Sequence, residues 1–172
     1  MPPIDFITAL GRLLWDGSLR DAYAANPQHT VESLTLCGSD RSALLCLKAC
    51  DLEFQAQVLL RKRFEAVSNL IPQTCSNLGA DAWPLFNQRA RASFPAGDHV
   101  AVLDAWHFLE YLQQKHSSAI SRSENNRVRF ARASSRLSVH FVSGGRRSSA
   151  PLPSIFIRRI LPWKEYVVSF AF

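Results

Sequence analysis

Three histidines and four cysteines are the side chains of this chain best suited to hold a metal ion or form a redox pair. His99, His107 and His116 share one expected helix with Asp98, Asp104 and Glu110. Two side chains on a helix reach one ion when they stand three or four residues apart, and histidine steps of eight and nine residues do not meet that demand. His107 with Asp104 or Glu110 has workable spacing, but capping and core roles are the preferred reading of all these groups. Cys37, Cys46, Cys50 and Cys75 form no CxxC and have no histidine at metal spacing. Cys46 and Cys50, four apart on an expected helix, could share a face; buried free thiols are preferred. There is no GxSxG and no glycine-rich phosphate loop, and 7 glycines leave little for a phosphate cradle. No catalytic apparatus, metal site or cofactor is expected in this chain.

The elements that would position such groups divide by composition. Residues 1–116 carry 10 Lys+Arg against 12 Asp+Glu, while residues 117–172 carry 10 against 2, so the overall +6 belongs to the last third. That asymmetry points to an acidic partner, whether nucleic acid, an acidic peptide or an acidic protein surface. A chain of 172 residues with 47% hydrophobic content suits one domain or two small ones. No apolar run approaches the ~18 residues of a membrane span. The N-terminus lacks a basic n-region and carries Asp5 within its apolar stretch, so an amphipathic helix is expected there, not a signal peptide. A cytoplasmic protein is expected.

The strongest helix signal lies at 52–72. Leu52, Ala56, Leu59, Leu60, Phe64, Val67, Leu70 and Ile71 recur at three- and four-residue steps, and Glu53, Gln57, Arg61 and Glu65 mark the opposite side. Pro72 stops it. Before it come a helix at 4–15, with Phe6/Ile7, Leu10 and Leu13/Leu14 inward and Gly17 at its end, and one at 19–25 capped by Ser18 that stops before Asn26-Pro27. A further piece at 31–36 is capped by Thr30, and one starting at Ser39 or Asp40 either runs into the central helix or bends near Asp51. After it come helices at 81–92 and, capped by Asp98, at 99–116. Helices joined by short loops pack as an antiparallel bundle. Residues 117–134 fit either a last basic helix or a linker with a strand. Alternation at 136–142 and β-branched, aromatic stretches at 154–161 and 165–172 predict strands, the last two joined across Pro162-Trp163. The expected class is α+β: a helical domain at 1–116, then a basic domain at 117–172 with a small antiparallel β-sheet.

The blocks VLLRKRFEAVSNLIPQTCSNLGADAWPLFNQRARASFP at 58–95 and GDHVAVLDAWHFLEYL at 97–112, followed by a basic β-rich end, carry a resemblance. Together they resemble the small partner subunits of multinuclear non-haem iron oxidases that modify ribosomally made peptides, the methanobactin and thiaglutamate pathways among them. The thiaglutamate type is the expected one. The resemblance implies a non-catalytic subunit that forms a heterodimer with a TIM-barrel oxidase. That subunit binds the leader of a precursor peptide and presents its cysteine for β-carbon excision or a related oxidation. The iron belongs to the partner enzyme, and this chain holds no cofactor.

A basic sheet edge can take an extended acidic peptide as an added strand. Arg136, Ser138, His140, Ile155, Ile157, Arg158 and Arg159 are therefore the expected leader-binding residues. Trp163, Lys164 and Tyr166 are the expected contacts with the partner enzyme. Arg61-Lys62-Arg63 offers another contact patch, with a solvated face as the plainer reading, most of all for Lys62. The alternative function is a nucleic-acid-binding regulator using the basic last third, since arginines among aromatics can also hold a single strand. No membrane association is expected, and nucleic acid ranks behind peptide.

Overall fold

Polar caps break the apolar N-terminal stretch into short helices. In the computed structural model, residues 4–95 and 99–132 are described in full and residues 137–143, 151–158 and 165–169 by their backbone. Asp5 accepts from the Thr8 N–H at 2.8 Å and starts α1 (Phe6–Trp15). Asp16 accepts from the Ser18 and Leu19 N–H groups and starts α2 (Gly17–Ala25). Asn26 does the same from His29 for α3 (Pro27–Ser33), whose first-turn proline has no helical N–H to lose. Ser18 and Thr30 are thus not the caps they were expected to be, and Asn26-Pro27 opens a helix as well as closing one. The chain turns at Cys46–Lys48 between α4 (Gly38–Leu45) and α5 (Ala49–Leu70), ahead of the bend expected near Asp51.

Pro72 ends α5 as expected, with Ile71 out of helical conformation at φ −130°, and opens α6 (Pro72–Leu78). A 3-10 turn (Gly79–Asp81) leads to α7 (Ala82–Ala90). His99, in left-handed conformation at φ 66°, precedes α8 (Val100–Lys115); Asp98, the expected cap there, lies outside the described residues. A second 3-10 turn (Ser117–Ala119) is followed by α9 (Arg122–Arg132).

Two compact units result, one from Met1–Glu65 with Trp83–Gly97 and the other from Ala66–Ala82 with Asp98–Phe172. The first unit has a core of Ala9, Leu13, Tyr23, Val31, Leu44 and Leu52, into which the Tyr23 hydroxyl donates to the Leu44 carbonyl at 2.8 Å. Gly17 lies so close to Arg91 that a Cβ would sit 2.7 Å from Arg91 Cγ, and its N–H donates to the Arg91 carbonyl at 3.0 Å. Only glycine fits there. In the second unit Val67, Ile71, Phe108, Leu109, Leu112 and Val128 are buried, and α9 packs on α8. The boundary expected between residues 116 and 117 therefore falls inside this unit.

Glu124 from α9 supplies the missing cap of α6. Its buried carboxylate accepts from the Gln73 N–H (2.7 Å), the Thr74 N–H (2.8 Å) and the Thr74 hydroxyl (2.7 Å). Arg127 donates to the Leu70 carbonyl at the end of α5, and Arg132 lies 3.4 Å over the Trp106 ring. Some of the basic charge of the last third is thus engaged in packing within the chain.

The expected α+β class is corrected. Over residues 4–95 and 99–132 the chain is 83% helical, with no strand and no sheet, so the fold is all-helical. Among the described residues every buried apolar side chain lies in a helix or a short link between helices. The backbone of Leu137–Ser143, Pro151–Arg158 and Glu165–Ser169 is extended and pairs antiparallel in chain order. Class follows what encloses the core, and alternation along a strand says nothing of that.

Candidate interaction groove

Helix α1 is amphipathic, with an apolar side that reaches from the core of the first unit to an exposed flank. Ala9 and Leu13, fully buried, face the core of the first unit. Ile7, Leu10 and Leu14 follow each other at steps of three and four toward that flank, and Ile7 is 71% exposed. Of the inward side expected from sequence, Leu13 is fully buried, Phe6, Leu10 and Leu14 are partly buried against the same core, and Ile7 is exposed.

Between this outer side and α5 lies a groove made of two adjoining cavities that share Leu14 and Leu59. One, of ≈460 Å³, is lined by Leu10, Leu47, Leu52 and Gln55, with Lys48 and Asp51 at its edge. The other, of ≈230 Å³, is lined by Trp15, Ala56, Leu60, Phe94, Lys62 and Arg63. Trp15, 47% exposed, stacks on Phe94 with ring centroids 4.6 Å apart and planes 11° apart. The Arg63 guanidinium lies 5.0 Å over Phe94 and donates to the Ala90 and Ser93 carbonyls, which suits a cation at the end of α7. Arg61 lies 4.0 Å over Trp83, whose ring meets Phe64 edge-on. Of the Arg61-Lys62-Arg63 triplet, then, the two arginines clasp neighbouring aromatics and Lys62 stands exposed beside the groove.

Behind the smaller cavity, Arg20 and Arg91 separate it from a polar cavity of ≈280 Å³ lined by Asp21, Tyr23, Glu53 and Asn87. Arg20 is 4% exposed; it donates from Nη1 to the Leu13 and Leu14 carbonyls and from Nε to Glu53 at 3.0 Å. Arg91 bridges Glu53 (3.2 Å) and Asp21 (2.8 Å). Burial alone would raise the Glu53 pKa. Hydrogen bonds from Gln57 and Arg20, with the charges of Arg20 and Arg91, outweigh it and hold the carboxyl below its ordinary value. Arg20 Nη2, Arg91 Nε and Asn87 Oδ1 are buried without a hydrogen-bond partner among the described residues. Nothing in the sequence announced this cluster, because Arg20, Glu53 and Arg91 are far apart in the chain.

The side chains of the expected leader-binding residues Arg136, Ser138, His140, Ile155, Ile157, Arg158 and Arg159 lie outside the described residues, as do those of Trp163, Lys164 and Tyr166. Among the described residues, no three His, Cys, Asp or Glu side chains gather as a metal cluster. His107 packs against Trp106 at 4.7 Å. Cys37, Cys46 and Cys50 are exposed, not buried as expected, and Cys46 and Cys50 belong to different helix ends separated by the turn. Cys75 is partly buried; burial, then the Glu124 charge, push its thiol up to about 11. No helix among the described residues is long and apolar enough to cross a membrane.

No curated protein and no solved structure matches this chain. Residues 47–114, from the turn before α5 almost to the end of α8, match the SCO6045-like, C-terminal domain family.

Proposed function

We propose that this chain is a non-catalytic recognition subunit, which holds the leader of a ribosomally made precursor peptide for a multinuclear iron oxidase. The observation that carries the reading is the groove between α1 and α5. Trp15, Leu59 and Phe94 are exposed along an apolar floor, and a contiguous apolar surface of this kind marks an interaction site. A subunit whose work is binding needs such a surface, with stacked aromatics as anchors and arginines beside them. The sequence blocks at 58–95 and 97–112 support the choice of oxidase partner. The partner is a TIM-barrel subunit that carries the iron, and the chemistry at the precursor's cysteine, of thiaglutamate type or related, belongs to it. The complex works in the cytoplasm, where exposed thiols such as Cys37, Cys46 and Cys50 stay reduced.

Co-expression tests the reading. The chain, a multinuclear iron oxidase of the proposed kind and its precursor peptide are produced together and in pairs. The chain is expected to co-purify with the iron protein, and conversion of the precursor cysteine, read by mass spectrometry, to need both. An iron protein that converts the precursor equally well without this chain overturns the proposal.

A further inference from the structure

Resting on the reading of the groove as a docking surface, we infer that its occupant is a short amphipathic helix, acidic beside its apolar face. The floor is aliphatic at one end and aromatic at the other, so the occupant must bring a continuous apolar stripe. Residues of α1 and α5 bound it, and an amphipathic helix seats its i, i+3, i+4 and i+7 side chains in an apolar groove of this kind. The 10 residues of α1 span about 15 Å, enough for roughly three turns of partner helix.

The charge of the occupant follows from the rim. The smaller cavity has cations in its lining, Lys62 and Arg63 nearest the opening, and no carboxylate. Arg12 stands exposed on the far side of Trp15 and Lys48 at the other end of the groove. Two acids lie near: Asp16 already accepts from Ser18 and Leu19, and Asp51 sits beside Lys48. Arg12 belongs to a separate cavity that it shares with Asp16, so carboxylates on a partner in the groove find Lys62 and Lys48 open to them, and charge selects the partner while apolar contact holds it. A second copy of this chain fits poorly, since a two-fold contact sets the same patch against itself and brings cation to cation. A lipid surface cannot fill cavities of this depth, and nucleic acid has no aliphatic stripe for Leu10, Leu14 and Leu52.

The test uses the intact chain and fluorescently labelled synthetic peptides of about 16 residues, long enough to form a helix spanning the groove. All carry Leu and Phe on one helical face, with Glu in one peptide and Lys in its twin on the others. The Glu peptide is expected to bind at least about tenfold more tightly than the Lys peptide. Leu14→Glu or Leu59→Glu, both at partly open positions, should abolish that binding with far-UV circular dichroism unchanged. Lys48→Glu with Lys62→Glu should reverse the preference between the two peptides.

Equal binding of the twins, binding that survives the leucine changes, or no peptide binding overturns the inference. So does binding seen only with phosphatidylserine vesicles or oligothymidylate, or self-association that Leu14→Glu removes. If the Glu peptide fails while Leu14→Glu still breaks the co-purified complex, the groove docks a partner of other chemistry. The inference then falls and the recognition reading stands.

Discussion

The two units of this chain treat their buried polar groups and apolar faces in opposite ways. In the second unit the buried carboxylate of Glu124 meets three donors within 2.7–2.8 Å, and α9 lies along α8. In the first, three buried polar atoms of Arg20, Asn87 and Arg91 lack partners among the described residues, and α1 leaves an apolar side open. Satisfied polar groups and closed apolar faces are what folding alone rewards. The first unit departs from both, and the groove is one place where it does. Such departures concentrate where a surface serves a second molecule.

The contrast can be broken at Glu124. Glu124→Ala removes a charged acceptor from three donors and is expected to destabilise the chain by about 4 kcal/mol, Glu124→Gln by less. Equilibrium urea denaturation measures both, and an alanine effect under about 1 kcal/mol would deny Glu124 its capping role. Within α1, Leu13→Ala should cost about 3 kcal/mol, because the site is fully buried. Ile7→Ala, at an exposed position, should stay within about 0.5 kcal/mol. Similar losses at both positions would mean that α1 has no open side.

Thiol chemistry separates the units next. With its thiol pushed up to about 11, Cys75 holds little thiolate at pH 8 and should react with a disulfide reagent about a hundredfold more slowly than Cys37, Cys46 and Cys50. Mass-resolved labelling over time reads the order; Cys75 reacting with the first group contradicts the burial. The smallest effect is the pH dependence of Glu53. Its folded pKa is lowered, so its contribution is present above the ordinary glutamate value near pH 4.3 and fades as pH falls through the folded pKa. The side chain is 38% exposed, which limits the gain to under about 1 kcal/mol. Glu53→Gln should flatten acid unfolding between about pH 5 and 3, and an unchanged profile would remove Glu53 from the network.

What was legible from sequence was periodic and local. The 52–72 pattern predicted α5, and Pro72 its end. Buried Leu52, Ala56, Leu60, Val67 and Ile71 are among the residues named for its inner side. Capping was less legible, because Asp16 and Ser18, or Asn26 and Thr30, are all competent acceptors and geometry chooses between them. Glu124 as a cap for α6 was invisible, since the two stand some fifty residues apart. The fold class failed where alternation along 136–142 and 154–161 was taken to make a small sheet part of the class. The groove was not on view, because the pairing of α1 with Leu59 and Phe94 needed the fold.

Hydrogen exchange of the chain, alone and with the proposed iron-oxidase partner and precursor peptide, tests most directly the claim that the first unit's open face is a docking surface. Slowed exchange over Phe6–Trp15 and residues 52–63 is predicted on forming the complex. Protection confined to residues outside these two stretches, with α1 exchanging as in the free chain, would contradict it.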